Sequence, residues 1–234
     1  MEANYIDFYD EASNTIEVGA GAAIVANTGS ITLDRDVYPV PFDASVTSDA
    51  NYAFLDQAAG AQSTHTGADD GDVTVYAWID DADYDQSPTG EDTISDSSVT
   101  IKAVRGSTSV TLASGFTLTE TEASSGVFEY EFTINASSVA ALGSTALRQG
   151  DVLTVEYTDP TDASGNEYLN TDSSTLDLRT GSLLSDKSVY VIGSDAILTI
   201  VDADLDRDSG TVESYVLNLI EWDSDAGTVN LGGA

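Results

Sequence analysis

The 234-residue chain has no cysteine, one histidine, only seven lysines and arginines, and no long apolar run. Without cysteine there are neither disulfides nor thiolate metal ligands, so its stability must come from a packed core, which a chain of this length can build. The 41 acidic residues give a formal charge of −34, and such a surface repels nucleic acid and anionic lipid but attracts cations. No segment approaches the roughly 18 apolar residues of a membrane span. We therefore expect cations as partners, no nucleic acid and no membrane span.

The scarcity of histidine also argues against catalysis. His65 lies in a polar segment, and a single loop histidine supports no Ser-His-Asp arrangement. Paired carboxylates can hydrolyse glycosides, but in so acidic a chain a pair carries no information. We therefore expect a protein that is not an enzyme, and a secreted hydrolase with accessory modules is the more distant alternative. The segment Met1–Asn4 has no basic or apolar character, so any secretion signal is expected outside this chain.

Alternation of apolar and polar residues predicts strands along most of the chain. Glycine-containing turns such as Ser125-Gly126 and Arg105-Gly106 separate them. Short strands at this spacing, without alternating helices, predict an all-β fold of antiparallel, immunoglobulin-like β-sandwich repeats in tandem. The predicted strands are 73–79, 98–104, 110–112, 116–120, 127–134, 152–157 and 196–201.

An internal repeat runs through the sequence. Residues 5–43 align without gaps on residues 157–195, an offset of 152, with 11 identities in 39 positions. The motif Thr-Gly-Ser at 28–30 recurs within this alignment at 180–182. Residues 79–85 align on residues 200–206 with an offset of 121, which predicts a 31-residue insert in the first copy.

The repeat predicts three units. Residues 1–29 are the C-terminal strands of a preceding or strand-exchanged repeat, and 30–181 are a complete repeat with an insert at about 44–74. Residues 182–234 are the N-terminal part of a following repeat. Two interpretations stay open. The chain is a window cut from a longer tandem protein, or neighbouring subunits complete its ends by strand exchange and form head-to-tail homopolymers.

Aspartates two residues apart follow two of the predicted strands. In an extended chain such side chains share a face at spacings of about 6.5–7 Å, and a hard cation would relieve their repulsion. Calcium is the predicted ion because soft ligands are missing. The alternative is a set of solvated acidic turns in a protein adapted to salt. The predicted metal ligands are Asp81, Asp83 and Asp85 of the first ladder, Asp202, Asp204, Asp206 and Asp208 of the second, and Glu120, Asp159 and Asp162 from neighbouring loops.

Three sequence blocks resemble the immunoglobulin-like repeats of archaeal surface-layer (S-layer) proteins, as in ammonia-oxidising archaea. They are Val189–Gly193, Leu198–Leu205 and Leu118–Phe128, in which Glu122 and Ala123 depart from the family's hairpin motif. The resemblance implies a porous extracellular lattice on the cell surface, stabilised by divalent metal, whose acidic pores enrich cations.

Together these features predict a structural, self-assembling protein of a cell-surface layer or extracellular filament, held by head-to-tail or lattice contacts. The alternative is a carbohydrate-binding or adhesin array on the cell surface. That alternative needs exposed aromatic platforms, and we expect Trp78 and Trp222 to be core anchors instead.

Overall fold

A computed structural model describes residues 1–41, 72–95, 98–134, 147–213, 215, 220–225 and 227–230. Nearly all regular structure in these residues is β-strand, which confirms the predicted all-β class. The predicted insert at 44–74 lies outside the described residues, except at its end, where a strand begins at Val73. None of the described segments forms a helix with the length and apolarity that crossing a membrane needs.

Sixteen strands lie within the described residues. They are β1 Glu2–Asp7, β2 Ile16–Gly21, β3 Ser30–Leu33, β4 Val37–Pro39, β5 Val73–Asp80, β6 Thr93–Ser95, β7 Val99–Arg105, β8 Thr108–Ser114, β9 Thr117–Glu120, β10 Val127–Ile134, β11 Val152–Asp159, β12 Tyr168–Asp177, β13 Ser182–Ser185, β14 Leu198–Val201, β15 Glu221–Ser224 and β16 Gly227–Asn230.

Two five-stranded sheets of these described strands form a central sandwich. One sheet has the order β3-β5-β10-β9-β6, and the other has the order β4-β12-β11-β7-β8. Neighbouring strands pair antiparallel except β4 and β12, which run parallel with Tyr38 opposite Leu176. Both of these side chains are buried, so β4 closes the second sheet over the core.

The core of the sandwich comes from the alternation seen in the sequence. Every second residue of β5, from Val73 to Ile79, is buried, and the same holds for β11 from Leu153 to Tyr157. Successive side chains of a strand point to opposite faces, so one face of each sheet supplies the core. Burying each large side chain stabilises the fold by about 1.5–3 kcal/mol.

Three further hairpins lie outside the two large sheets. β1 pairs with β2, β13 with β14, and β15 with β16, each as a two-stranded antiparallel sheet. A two-stranded hairpin is marginally stable by itself and is normally covered by further strands. The faces of the first two of these hairpins therefore form part of the candidate site.

Candidate assembly surfaces and acidic loops

Asp81 directly follows β5 and is buried in the central sandwich. The Tyr157 hydroxyl, which comes from the opposite sheet, donates a hydrogen bond to its carboxylate. The backbone N–H of Asp83 donates to the same carboxylate at 2.9 Å. Burial raises the pKa of Asp81, because a desolvated carboxylate is less stable when ionised. Asp81 therefore joins the two sheets, and its role as a metal ligand stays a prediction.

Asp159 at the end of β11 completes this group. Its carboxylate accepts the Gly29 N–H at 2.8 Å and the Thr161 N–H at 2.8 Å, and the side chain is buried. A Cβ at Gly29 would lie 2.7 Å from both the Asp81 Oδ2 and the Tyr157 Cε1, so only glycine fits there. We call Gly29, Asp81, Tyr157 and Asp159 the lock cluster, since it fastens the start of β3 to the ends of β5 and β11.

The loop after β5 carries the remaining residues of the first predicted ladder. Asp83 accepts hydrogen bonds from the Asn27 backbone N–H at 3.0 Å and from its side-chain amide at 2.9 Å. Asp85 accepts the Ser124 hydroxyl at 3.1 Å. β5 ends at Asp80, so the three aspartates lie in a turn and not on one face of a strand. Their carboxylates therefore have different partners.

Asp85 meets two other carboxylates, those of Asp92 and Glu120, and one oxygen from each lies within 4.8 Å of the others. Glu120 is buried and accepts the N–H groups of Ser125 and Gly126, both at 2.7 Å. The Asp92 N–H also donates to Glu120, and these backbone donors hold the pKa of Glu120 below its ordinary value. Three carboxylates this close together could hold a hard cation, the type of ion predicted from the sequence.

Asp92 was missed in the sequence, yet the repeat carries a signal for it. Asp92 accepts two successive N–H groups, those of Gln86 and Ser87, at 2.7 Å each. Glu213, 121 residues further on, accepts the N–H groups of the counterparts of these two residues, also at 2.7 Å. The two acidic residues therefore close the same loop in both copies.

The second ladder also divides among several partners. Asp202 accepts the Asp204 N–H at 3.0 Å, as Asp81 accepts that of Asp83. Asp204 pairs with the guanidinium of Arg179 at 3.1 Å. Asp206 pairs with Arg35 of the central sandwich at 3.1 Å.

Asp208 and the remaining loop ligand have structural partners as well. Asp208 accepts a hydrogen bond from the Tyr76 hydroxyl at 3.0 Å. The burial of the Tyr76 hydroxyl, together with this bond, raises the pKa of Tyr76 to about 12. Asp162 accepts the backbone N–H groups two and four residues further on, at 2.8 and 2.9 Å. Asp10 makes the same pair of bonds at 2.9 and 2.8 Å. Both are Asx turns of identical form.

The first hairpin repeats the geometry of the pair β11 and β12. Tyr5 lies opposite Val18 in β1 and β2, and Tyr157 lies opposite Asn170 in β11 and β12. Each residue of the first pair precedes its counterpart by 152 positions. The sequence repeat therefore has the same strand register in both places.

The pair β13 and β14 repeats the geometry of β3 and β5 in the same way. Leu183 lies opposite Ile200, as Ile31 lies opposite Ile79. Side-chain bonds recur too, because the Tyr190 hydroxyl donates to Asp186 as the Tyr38 hydroxyl donates to Asp34. The local structure is thus reproduced bond for bond.

The counterparts differ in their exposure. Tyr157 is 0% exposed whereas Tyr5 is 66% exposed, and Leu176 is 1% exposed whereas its counterpart Ile24 is 79% exposed. On the other side, Ile31 is 5% exposed and Leu183 is 54% exposed. We call the exposed residues of the first group the N-terminal face and those of the second the C-terminal face. The N-terminal face comprises Tyr5, Val18, Ile24 and Val25, and the C-terminal face comprises Leu183, Val189, Val191, Ile192 and Ile200.

The two tryptophans do not anchor the core, so that prediction is wrong. Trp78 lies on the outer side of β5, stacks on Tyr76 with ring centroids 6.3 Å apart, and donates to Glu129 at 2.6 Å. Trp222 is 44% exposed. Strand alternation decides this, because Trp78 stands between the buried residues Ala77 and Ile79. His65 lies outside the described residues.

No protein-family model matches the chain, and no curated protein matches it.

Proposed function

We propose that this protein is a structural component of an extracellular surface layer or filament, built from immunoglobulin-like repeats that assemble through their ends. One observation carries the proposal. Most residues of the exposed N-terminal and C-terminal faces are repeat counterparts of residues that are buried in the central sandwich. Tyr5 and Ile24 correspond to Tyr157 and Leu176, and Leu183, Val191, Ile192 and Ile200 correspond to Ile31, Pro39, Val40 and Ile79. Exposed apolar patches of this kind are typical of protein–protein contacts.

Both interpretations of the repeat use these faces. In a longer tandem chain, neighbouring repeats would cover them, and in a polymer, neighbouring copies would do so. The acidic surface and the resemblance to archaeal surface-layer repeats support an extracellular location in either case. A lattice or filament with a charge of −34 per chain would also concentrate cations around it.

Cations are part of the proposal because like charge opposes association. Copies that each carry −34 repel one another unless salt or bound metal screens them. A calcium ion at Asp85, Asp92 and Glu120 would offset two of the three negative charges of this loop cluster. We therefore propose assembly that is assisted by divalent metal.

The proposal is tested by light scattering and electron microscopy of the purified chain over a range of protein concentrations, in calcium, in EDTA and in sodium chloride of equal ionic strength. We expect larger species as concentration rises, and more of them in calcium than in sodium chloride. A monomer under every condition would refute assembly. Equal assembly in calcium and in sodium chloride would show that bound metal is not needed and that screening of the negative charge by salt is sufficient.

Carbohydrate binding is the second candidate, and the stacked rings of Tyr76 and Trp78 favour it. These rings lie on the outer face of the first sheet and not in the core. Glycan-array binding that Trp78→Ala abolishes would support this function. If the protein binds no glycan, carbohydrate binding is refuted. The stacked rings would then have only a structural role, holding the loop that contains Asp208 through its hydrogen bond with Tyr76.

A further inference from the structure

The lock cluster recurs with all four of its residue types in the two end segments. Its counterparts are Gly181, Asp202, Tyr5 and Asp7, each placed at the repeat offset from Gly29, Asp81, Tyr157 and Asp159. In the central sandwich these four residues are buried and bonded to one another. In the end segments the tyrosine and its aspartate partner lie on different faces.

Tyr5 and Asp7 belong to β1, whereas Gly181 and Asp202 flank β13 and β14. Gly181 and Asp202 already face each other as their counterparts do, since a Cβ at Gly181 would lie 2.6 Å from the Asp202 Oδ2. The C-terminal half of the cluster is therefore preformed, and what it lacks is the tyrosine and the second aspartate.

We propose that the N-terminal face of one copy docks on the C-terminal face of a second copy in the register of the central sandwich, and this inference rests on the proposed function. The Tyr5 hydroxyl donates to Asp202 of the second copy, and Asp7 accepts the N–H of that copy's Gly181. The occupant of each face is the other end of the same protein.

The edge strands specify the register of this contact. In the central sandwich β12 pairs in parallel with β4, with Thr175 opposite Val37 and Leu176 opposite Tyr38. Transferred by the repeat offset, Ala23 lies opposite Val189 of the second copy, and Ile24 lies opposite Tyr190. The surrounding side chains are apolar and highly exposed: Ile24, Val25, Val189, Val191 and Ile192. Docking in this register removes Ile24, Val191 and Ile192 from water, because their counterparts Leu176, Pro39 and Val40 are buried.

A heterologous contact of this kind does not close on itself unless the rotation between copies completes a ring. The growing filament keeps a free N-terminal face at one end and a free C-terminal face at the other. The predicted product is therefore a linear, head-to-tail filament, and its formation depends on protein concentration.

The first experiment disables one face at a time. Ile24→Asp with Val25→Asp removes the N-terminal face, and Val191→Asp with Ile192→Asp removes the C-terminal face. All four side chains are at least 70% exposed, so the fold of each copy is retained. Val212→Asp, at a site 95% exposed and outside both faces, is the matched control.

By sedimentation velocity we expect the wild type and the Val212→Asp control to assemble and each double variant to stay monomeric. An equimolar mixture of the two double variants should give a dimer and nothing larger, because one intact pair of faces remains. If the wild type assembles and a double variant assembles equally well, the register is wrong while the proposed function stands. If the wild type stays monomeric under all conditions, both fail.

The second experiment uses the absence of cysteine. Ala23→Cys and Val189→Cys, on separate copies, should form an intermolecular disulfide under mild oxidation, because their counterparts are ladder partners. Ala23→Cys mixed with Val212→Cys should not. Equal cross-linking in both mixtures would refute the register.

A third experiment tests the Tyr5–Asp202 bond. Tyr5→Phe should weaken association between copies about tenfold, as expected for the loss of one hydrogen bond to a carboxylate. An unchanged association constant would refute this bond.

Discussion

From the lock cluster we predict how much stability the hydroxyl groups of Tyr157 and of its repeat counterpart Tyr5 contribute to the folded monomer. Tyr157→Phe removes the hydroxyl that donates to Asp81 and leaves a buried carboxylate without one of its partners. A hydrogen bond to a charged group contributes about 1.5–3 kcal/mol. We therefore expect the free energy of unfolding to fall by about 2 kcal/mol, which lowers Tm by about 4–8 °C in a protein of this size.

The matched control is Tyr5→Phe, at the counterpart position. Tyr5 is 66% exposed, so in dilute monomer its hydroxyl stays in water and the substitution should change stability by less than about 0.5 kcal/mol. Both variants are measured by urea unfolding, followed by tryptophan fluorescence and circular dichroism, at a concentration where the wild type is monomeric.

The effect of Tyr157→Phe also depends on pH. The hydroxyl stabilises the ionised form of Asp81, so its removal costs most when that carboxylate is charged and less as pH falls through its raised pKa. The gap between wild type and variant should therefore narrow in acid. Equal losses for Tyr157→Phe and Tyr5→Phe in the monomer, or no loss for Tyr157→Phe, would refute the role given to the lock cluster.

Two further predictions concern other buried carboxylates. The pKa of Glu120 is held below its ordinary value by backbone donors, chiefly the Asp92 N–H, so its stabilising effect is present above pH 4.5 and is lost as pH falls through the lowered value. Glu120→Gln should lower Tm at pH 7, measured by calorimetry, and by less near pH 3; a constant difference would contradict this. Arg105 donates two bonds of 2.6 Å to buried Asp151. Arg105→Met should cost about 3–5 kcal/mol in urea unfolding, and Arg105→Met with Asp151→Asn should recover part of it; an unchanged loss would place the effect elsewhere.

Much of the fold could be predicted because the strands of the central sandwich carry a clear alternation. β5, β10 and β11 appear within one or two residues of their predicted bounds. The sequence did not predict β12. Its segment Tyr168–Asp177 is rich in serine, threonine and aspartate, and only two of its residues, Ser174 and Leu176, are buried. It forms because β11 and β4 pair with its two edges.

The predicted acidic ladders illustrate what local sequence leaves open. The spacing of Asp81, Asp83 and Asp85 suggested one shared face, but a turn follows β5 and sends the three carboxylates to different partners. Glu120 and Asp85 do come together, and the third carboxylate of that group is Asp92. The only sequence signal for Asp92 is its repeat counterpart Glu213, 121 residues further on, and the contact with Glu120 depends on how the loop before β6 folds back on β9.

By itself, the sequence determined the alternation of the strands, the strongly acidic composition and an internal repeat with offsets of 152 and 121 residues. These are properties of short segments, since strand pairing within a hairpin depends on neighbouring residues. Only the tertiary structure decided which copy of each segment is buried. Asp81 and Asp202 follow strands of the same register, yet one is enclosed beneath Tyr157 and the other is half-exposed. Burial depends on contacts between segments far apart in the chain, and for Asp202 the described residues supply no tyrosine of that kind.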